Sequence, residues 1–384
     1  MKSLPSLRRC PLWLVLSALV AASSLDAQPA APKNDPARIA AQKIEDLPPL
    51  VELTLKEAKK GDPNAQAELG MFYLFGKDVP PDVNEALSWL RKAVAQTNAA
   101  GQYWMGYMHY NGKGLPLNFN DARRFYEQAA AGGSVGAMYS LGLMCFKGEG
   151  GDRDLAAAKK WIEKAAAESN VPAIYQLGLM HLTGVGVEKN PTKAFEYFNE
   201  AADKGDMKAP YFVWRAYDKG DGAEKNPEKA AEWQKRTESN DFITYQIGQL
   251  FFTGEGVAQD YAEALKWYHK AADAGFFVAQ YKVGYMYYTG RGTKQDFDEA
   301  AKWLLKSAQQ GDRNAQFLIG RSYFKGQGVK PDSVEAWVWA SLAEAQGDRQ
   351  GRELRAEVEK ALSAEQLTEA KKRLAATQSP EKKE

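Results

Sequence analysis

The chain has 384 residues, with 50 Lys plus Arg against 49 Asp plus Glu, and its apolar fraction of 45% indicates a folded protein. The near-neutral charge argues against a general nucleic-acid binder, which needs a basic excess. Two cysteines exclude a disulfide-stapled scaffold and leave no Cys/His cluster for a structural zinc site.

The N-terminal residues have the layout of a secretory signal peptide. A short basic segment precedes an apolar run from Leu12 to Ala22, and small residues follow. About 11 apolar residues are too few to span a bilayer, which needs roughly 20. We therefore expect residues 1–27 to be a signal peptide rather than a stable transmembrane anchor. Residues 28–49 are rich in Ala and Pro and indicate a linker.

Residues 50–345 contain one unit repeated eight times. When the eight units are aligned with one another, one column contains glycine in seven units and Trp214 in the fifth. Its members are 36 residues apart, with one step of 34. A turn glycine follows each column member after six residues, and an Ala-x-x-aromatic motif comes later. The first column consists of Gly70, Gly106, Gly142, Gly178, Trp214, Gly248, Gly284 and Gly320. The aromatic column consists of Trp89, Phe125, Trp161, Tyr197, Trp233, Trp267, Trp303 and Trp339.

Each unit predicts two helices, which we name helix A and helix B. Apolar residues recur at helical spacing before the turn glycine, which favours a left-handed helix end. Helix B follows a position that is always Asp or Asn, from Asp82 in the first repeat to Asp332 in the eighth. A short side-chain acceptor there caps the free amides of the first turn. Because one helix pair cannot bury its apolar face alone, the units must stack.

The unit from Ala279 to Gly292, followed by the segment from Asp296 to Ala308, resembles a Sel-one-like repeat (SLR). The resemblance implies an all-α fold, a right-handed superhelical solenoid related to tetratricopeptide repeats. It implies about eight 36-residue helix pairs with capping helices at both ends. We expect the N-terminal cap near 50–61, and a C-terminal capping helix with a charged tail over 346–384.

The fifth repeat departs from the pattern. Trp214 occupies the small-residue column, and Pro210 lies in the first turn of helix A. A bulky ring in a close-packing position should push two helices apart. We predict a change of pitch or a break near 205–245, with local repacking as the alternative.

No set of residues indicates catalysis, a metal site or a cofactor site. His109, Cys145 and His181 occupy one column of successive repeats, but neighbouring helices lie roughly 10 Å apart. The two histidines are therefore too distant to share one ion, and ordinary packing explains the column. Signal cleavage would leave Cys145 as the only thiol.

The most variable positions of helix A lie on one side of the helix, opposite its repeated apolar residues. They are the residue two positions before the Gly70 column, the residue one position after it and the residue before the turn glycine, and we call them the A face. In a tetratricopeptide-like superhelix this side lines the concave groove, and exposed aromatics and Arg there suit partner binding. The candidate groove residues are Glu68, Met71, Phe75, Trp104, Tyr107, Asn111, Phe212, Arg215, Lys219, Gln246, Gln249, Lys282, Tyr285 and Arg321.

These features predict an exported, non-enzymatic scaffold for protein–protein interactions. The export signal places it in a bacterial periplasm or outside the cell, with protein partners there and no nucleic acid. One alternative is a module that binds envelope glycan or peptidoglycan, since aromatic grooves can stack on sugars. Another is an accessory factor of an envelope enzyme. The paired cysteines of relatives that act on β-lactams are absent, which argues against β-lactam hydrolysis.

Overall fold

The computed structural model describes residues 48–378, which form 19 α-helices and no strand. They divide into two compact units, residues 48–226 and residues 227–378. Unit 1 contains α1 Pro49–Lys59, α2 Pro63–Phe75, α3 Val83–Ala95, α4 Ala99–Asn111, α5 Phe119–Ala131, α6 Val135–Lys147, α7 Leu155–Ala167, α8 Val171–Thr183, α9 Pro191–Asp203 and α10 Ala209–Lys219. Unit 2 contains α11 Pro227–Glu238, α12 Asp241–Thr253, α13 Tyr261–Asp273, α14 Phe277–Thr289, α15 Phe297–Gln309, α16 Arg313–Lys325, α17 Ser333–Ala345, α18 Arg349–Glu359 and α19 Ala364–Gln378.

The predicted all-α solenoid of eight helix pairs is confirmed. Even-numbered helices from α2 to α16 are the A helices, and the odd-numbered helices from α3 to α17 are the B helices. Each turn glycine ends its A helix in the left-handed conformation, as Gly76 does at φ 67°. Asp82 caps α3 as predicted, with its carboxylate accepting the N–H groups of Asn84 and Glu85. The predicted signal peptide and nearly all of the linker lie outside the described residues.

The glycine of helix A allows that helix to approach helix B closely. A Cβ atom on Gly248 would lie 2.6 Å from the Tyr268 ring, and one on Gly178 would lie 2.7 Å from the Phe198 ring. Tyr268 and Phe198 each come directly after a residue of the aromatic column. In these repeats the residue that follows the aromatic column therefore fills the space opposite the glycine. In the fifth repeat both positions differ, with Trp214 for the glycine and Gln234 for the large apolar residue.

The second glycine of each Gly-x-Gly turn connects one repeat to the preceding one. A Cβ on Gly328 would lie 1.8 Å from the carbonyl oxygen of Phe297, at the start of the preceding B helix. Gly328 also has a φ of +69°, which side chains rarely adopt. The first repeat has Asp78 at this position, with a φ of 60°.

Buried glutamines make a second connection between repeats. Gln280 and Gln316 donate from Nε2 to the carbonyl oxygens of Ala272 and Ala308, near the end of the preceding B helix, each at 3.2 Å. Gln66 makes the same contact with Ala58 of α1, also at 3.2 Å. Because helix ends carry unsatisfied carbonyls, these bonds stabilise both partners. Helix α1 therefore contacts the first repeat in the way that a B helix contacts the next one.

The C-terminal region differs from the single capping helix expected there. Two helices, α18 and α19, follow repeat eight. The reason is a capping box, in which the N–H of Gln366 donates to Ser363 Oγ and the N–H of Ser363 donates to Gln366 Oε1. Helix α19 packs on α17 and buries Ala370.

The boundary between the two units falls between Asn226 and Pro227, inside the irregular fifth repeat. Helix α10 has 11 residues where the other A helices have 13. Its preceding turn is closed by Asp206, whose carboxylate accepts the N–H groups of Lys208 and Ala209. The change of pitch predicted for this region stays a prediction.

One histidine connects successive repeats in unit 2. The His269 ring on α13 lies 5.4 Å from the Trp303 ring on α15, and its Nε2 is 3.3 Å from the Tyr287 hydroxyl. Burial lowers the pKa of His269, although the negative charges of Asp273 and Glu299 oppose that shift.

We predict that Gly328→Ala destabilises the chain by about 2–4 kcal/mol, because the methyl group meets a backbone carbonyl that cannot move aside. Gly311→Ala is the matched control, since Gly311 has a φ of +96° with nothing within 4 Å of its Cβ. The control should cost only the backbone strain, about 1 kcal/mol. Urea midpoints of the two variants measure the difference. Equal losses would show that the contact with Phe297 contributes nothing.

We predict that acid destabilises the chain partly through His269. Its folded-state pKa is lowered, so the unfolded chain takes up the proton first as the pH falls, and stability decreases below about pH 6.5. Between about pH 7.5 and 5.5, His269→Gln should therefore lose less thermal stability than the wild type, by about 1–2 °C. Between about pH 7.5 and 8.5 the two proteins should change equally. An unchanged acid response in the variant would contradict the assignment.

Candidate partner-binding surface

The A helices of the first two repeats pack against one another. In unit 1, α2 packs against α4 as well as against α3. In unit 2, α16 packs against α18, the helix that follows repeat eight. A-face residues of the first two repeats therefore border one another.

Three of the predicted groove residues form an aromatic cluster in unit 1. The Phe75 ring lies 5.3 Å from the Trp104 ring and 5.5 Å from the Tyr107 ring, and Trp104 and Tyr107 are 5.7 Å apart. Lys113 Nζ lies 5.1 Å from the centre of the Phe75 ring. Each such aromatic contact contributes about 0.5–1.5 kcal/mol beyond the area it buries. The cluster is therefore an ordered apolar surface with a cation at its edge.

Four of the fourteen predicted side chains are buried and are not accessible to a partner: Met71, Tyr107, Phe212 and Gln246. Met71 belongs to the apolar core beside Phe72. Phe212 stacks on Phe198 at 4.3 Å, with the ring planes 11° apart, and is only 4% exposed. Helix periodicity alone places these residues on the A face, whereas contacts with neighbouring helices cover them.

The other ten predicted residues are at least partly accessible. Phe75, Asn111 and Lys219 are exposed, and Glu68, Trp104, Arg215, Gln249, Lys282, Tyr285 and Arg321 are half-buried. Two of the amides already have partners, because Asn111 Nδ2 donates to the Tyr107 carbonyl at 2.9 Å and Gln249 Oε1 accepts the Tyr268 hydroxyl at 2.7 Å. Burial raises the pKa of Glu68, with Lys77 opposing the shift.

Sequence reasoning missed two residues of the aromatic surface. Tyr103 lies beneath it, with its ring 4.8 Å from that of Trp104, and burial raises the pKa of its hydroxyl. Lys113 is the variable residue between the two turn glycines. The available signal for Tyr103 was a Tyr three residues before the Gly70-column residue in six of the eight repeats, because such regular aromatics indicate packing.

The His109, Cys145 and His181 column packs against helix B. The His109 ring stacks on Phe125 at 5.6 Å, and the His181 ring stacks on Tyr197 at 5.7 Å. Nδ1 of both histidines is buried without a hydrogen-bond partner among the described residues. Burial raises the pKa of the Cys145 thiol, although the Arg123 charge opposes this. Within residues 48–378, no group of three or more His, Cys, Asp or Glu is placed to hold a metal ion.

The solved structures that resemble this chain include the following two. One is a protective antigen of uropathogenic Escherichia coli with an SLR fold, at 24% identity and a TM-score of 0.47, covering 85% of this chain and 94% of that chain. The other is a Sel1 repeat protein from Oxalobacter formigenes, at 26% identity and a TM-score of 0.41, covering 89% of this chain and all of that one. A comparison with curated protein sequences gives no significant match.

The family comparison agrees with the repeats seen in the structure. The Sel1 repeat model matches residues 63–98, 99–134, 135–170, 171–206, 215–236, 244–276, 278–312 and 313–348. The fifth match is the shortest and begins immediately after Trp214. Sel1-repeat proteins are commonly protein-interaction scaffolds and are generally not enzymes. With eight matches over more than half of its length, the chain belongs to the Sel1 repeat family.

Proposed function

We propose that this chain is an exported, non-enzymatic scaffold that binds a protein partner along its A helices. The observation that carries the proposal is the aromatic cluster of Phe75, Trp104 and Tyr107. Phe75 is 37% exposed and Trp104 is half-buried. The common role of Sel1 repeats in protein binding supports the same conclusion.

The cluster has the properties of a binding hot spot. Tyr103 and Tyr107 hold Trp104 from below, so the indole loses little conformational freedom when a partner binds. Large aromatic side chains with fixed neighbours dominate many protein interfaces. The polar edge formed by Asn111 and Lys113 can provide hydrogen bonds to the partner's backbone.

The support for a non-enzymatic role is the family and the packing of reactive side chains. His109, His181 and Cys145 lie against helix B instead of converging on a cleft. A Cys thiol with a raised pKa is a poor nucleophile near neutral pH.

Export rests on the N-terminal sequence. The basic segment and the apolar run from Leu12 to Ala22 support a cleaved signal and a periplasmic or secreted product. Within residues 48–378, none of the helices combines the length and apolar character needed to cross a bilayer.

We expect cells that express the full chain to release a mature form that begins after Ala22 or Ala27. Mass spectrometry of the N-terminal peptide from the envelope and culture fractions measures the cleavage site. Replacing Leu14 and Leu16 with Arg should leave the chain uncleaved inside the cell, because a charged apolar segment is not recognised as a signal. If the wild-type chain were recovered only in its uncleaved form and only from inside the cell, that result would contradict export.

We expect Trp104→Ala to reduce capture of the protein partner at least about tenfold, which corresponds to losing one hot-spot side chain. Cross-linking of the full-length protein in envelope extract, followed by mass spectrometry, identifies and quantifies the partner. Arg215→Ala tests a second A-face residue. Trp161→Ala is the matched control, since Trp161 is a half-buried indole on helix B, with Lys164 Nζ 4.5 Å above its ring.

The control should retain the partner, and thermal unfolding should show that all three variants fold. Equal capture by Trp104→Ala and the wild type would contradict binding through the aromatic cluster. The same rings can stack on sugars, so a loss of retention on peptidoglycan with unchanged protein capture would favour the glycan-binding alternative.

A further inference from the structure

Charge is distributed unequally between the A and B helices of unit 2. The A helices α12, α14 and α16 contain one carboxylate, Asp241, which is the first residue of α12. They contain four cations: Lys282, Arg313, Arg321 and Lys325. Because the complete chain carries a net charge of only +1, this excess is a local feature of the A side.

The B helices α13 and α15 of the same unit contain internal ion pairs. Glu263 pairs with Lys266 at 2.8 Å, and Glu299 pairs with Lys302 at 2.6 Å, each one turn apart on the helix. Such pairs leave little net field for a partner, even though each contributes at most a few tenths of a kcal/mol to stability.

Arg321 and Lys325 have no ion pair with any residue in 48–378. They are four residues apart on α16 and therefore share one side of the helix. Arg321 is half-buried and Lys325 is exposed. Their charges therefore remain available to an anionic group from outside.

Two further cations lie over aromatic rings. Lys282 Nζ is 5.3 Å from the centre of the Phe252 ring, and the Arg291 guanidinium is 5.7 Å from that of Tyr285. A cation–π contact positions a charge without neutralising it. Lys282 also interacts electrostatically with Asp312, a buried N-cap whose carboxylate accepts the N–H of Ala315 at 2.7 Å.

The cations of α14 and α16 border one surface. Tyr285 of α14 packs in the same apolar cluster as Leu318 of α16, and Leu318 lies one turn before Arg321. We define the basic patch as Lys282, Tyr285, Arg291, Arg321 and Lys325.

We propose that the basic patch binds an acidic, extended segment of a protein partner, rich in Asp or Glu. Carboxylates complement arginine through charge-assisted, often bidentate hydrogen bonds, and an extended peptide can contact two neighbouring helices. Nucleic acid fits less well, because its binding depends on neutralising many phosphates, whereas the patch has four cations and the whole chain is nearly neutral. The proposal rests on the scaffold function and specifies the chemistry of its partner.

Fluorescence anisotropy tests the proposal with the full-length protein and three labelled probes: a Glu-Gly repeat peptide, the corresponding Lys-Gly peptide, and single-stranded DNA of similar length. We expect the wild type to bind the Glu peptide and not the Lys peptide. The double variant Arg321→Gln/Lys325→Gln should weaken Glu-peptide binding at least about tenfold. Raising the salt from about 0.05 M to 0.3 M should weaken wild-type binding as well.

The double variant Lys266→Gln/Lys302→Gln is the matched control, because it removes the same charge from the B helices. It should bind the Glu peptide within about twofold of the wild type. Equal losses in the two double variants, or no binding of the Glu peptide at low salt, would overturn the proposal. Tighter, patch-dependent binding of the DNA would assign the patch to nucleic acid. Partner capture through Trp104 is measured independently, so the scaffold function can stand while this inference fails.

Discussion

The close approach of helix A to helix B at the helix A glycine is the contact on which every repeat except the fifth depends. A methyl group on Gly248 would collide with the Tyr268 ring, and one on Gly142 would lie 2.5 Å from an Ile162 side-chain carbon. Only hydrogen at the glycine lets the two helices share a dry interface of large apolar side chains. Close packing gives dispersion contacts that a gap would lose. The missing side chain of the glycine is therefore what allows the two helices to pack as one unit.

The connections between repeats follow from the same geometry. Once the helices pack closely, the Gly-x-Gly turn reaches the start of the preceding B helix, and the glutamine of helix A reaches its end. In repeats one, seven and eight the glutamine therefore satisfies a backbone carbonyl that the preceding helix leaves free. Helix α1 provides those groups for the first repeat. This dependence on nearest neighbours explains why such units occur in arrays.

The exposed surfaces of helix A and helix B differ in their charge and aromatic content. Helix B carries most of the charge, as short-range ion pairs and as cations above the aromatic column, such as Lys92 Nζ at 3.8 Å from the centre of the Trp89 ring. Helix A carries few charges and several partly exposed rings. In unit 1 this gives an aromatic surface, and in unit 2 it gives a basic one. A Sel1-repeat chain with these surfaces is suited to hold partners by apolar anchors and by charge.

The sequence by itself determined the repeat, its period, the helix ends and the family, because these depend on local chemistry: glycine at left-handed positions, Asp or Asn at helix starts, and apolar residues at helical spacing. Of the residues that the sequence assigned to the A face, Phe75 is exposed in the structure and Trp104 is half-buried. Only the tertiary structure decided that Met71, Tyr107, Phe212 and Gln246 are covered, and that two helices follow repeat eight. The reason is that exposure depends on which side chains from other helices arrive at a position, and periodicity within one helix contains no information about them.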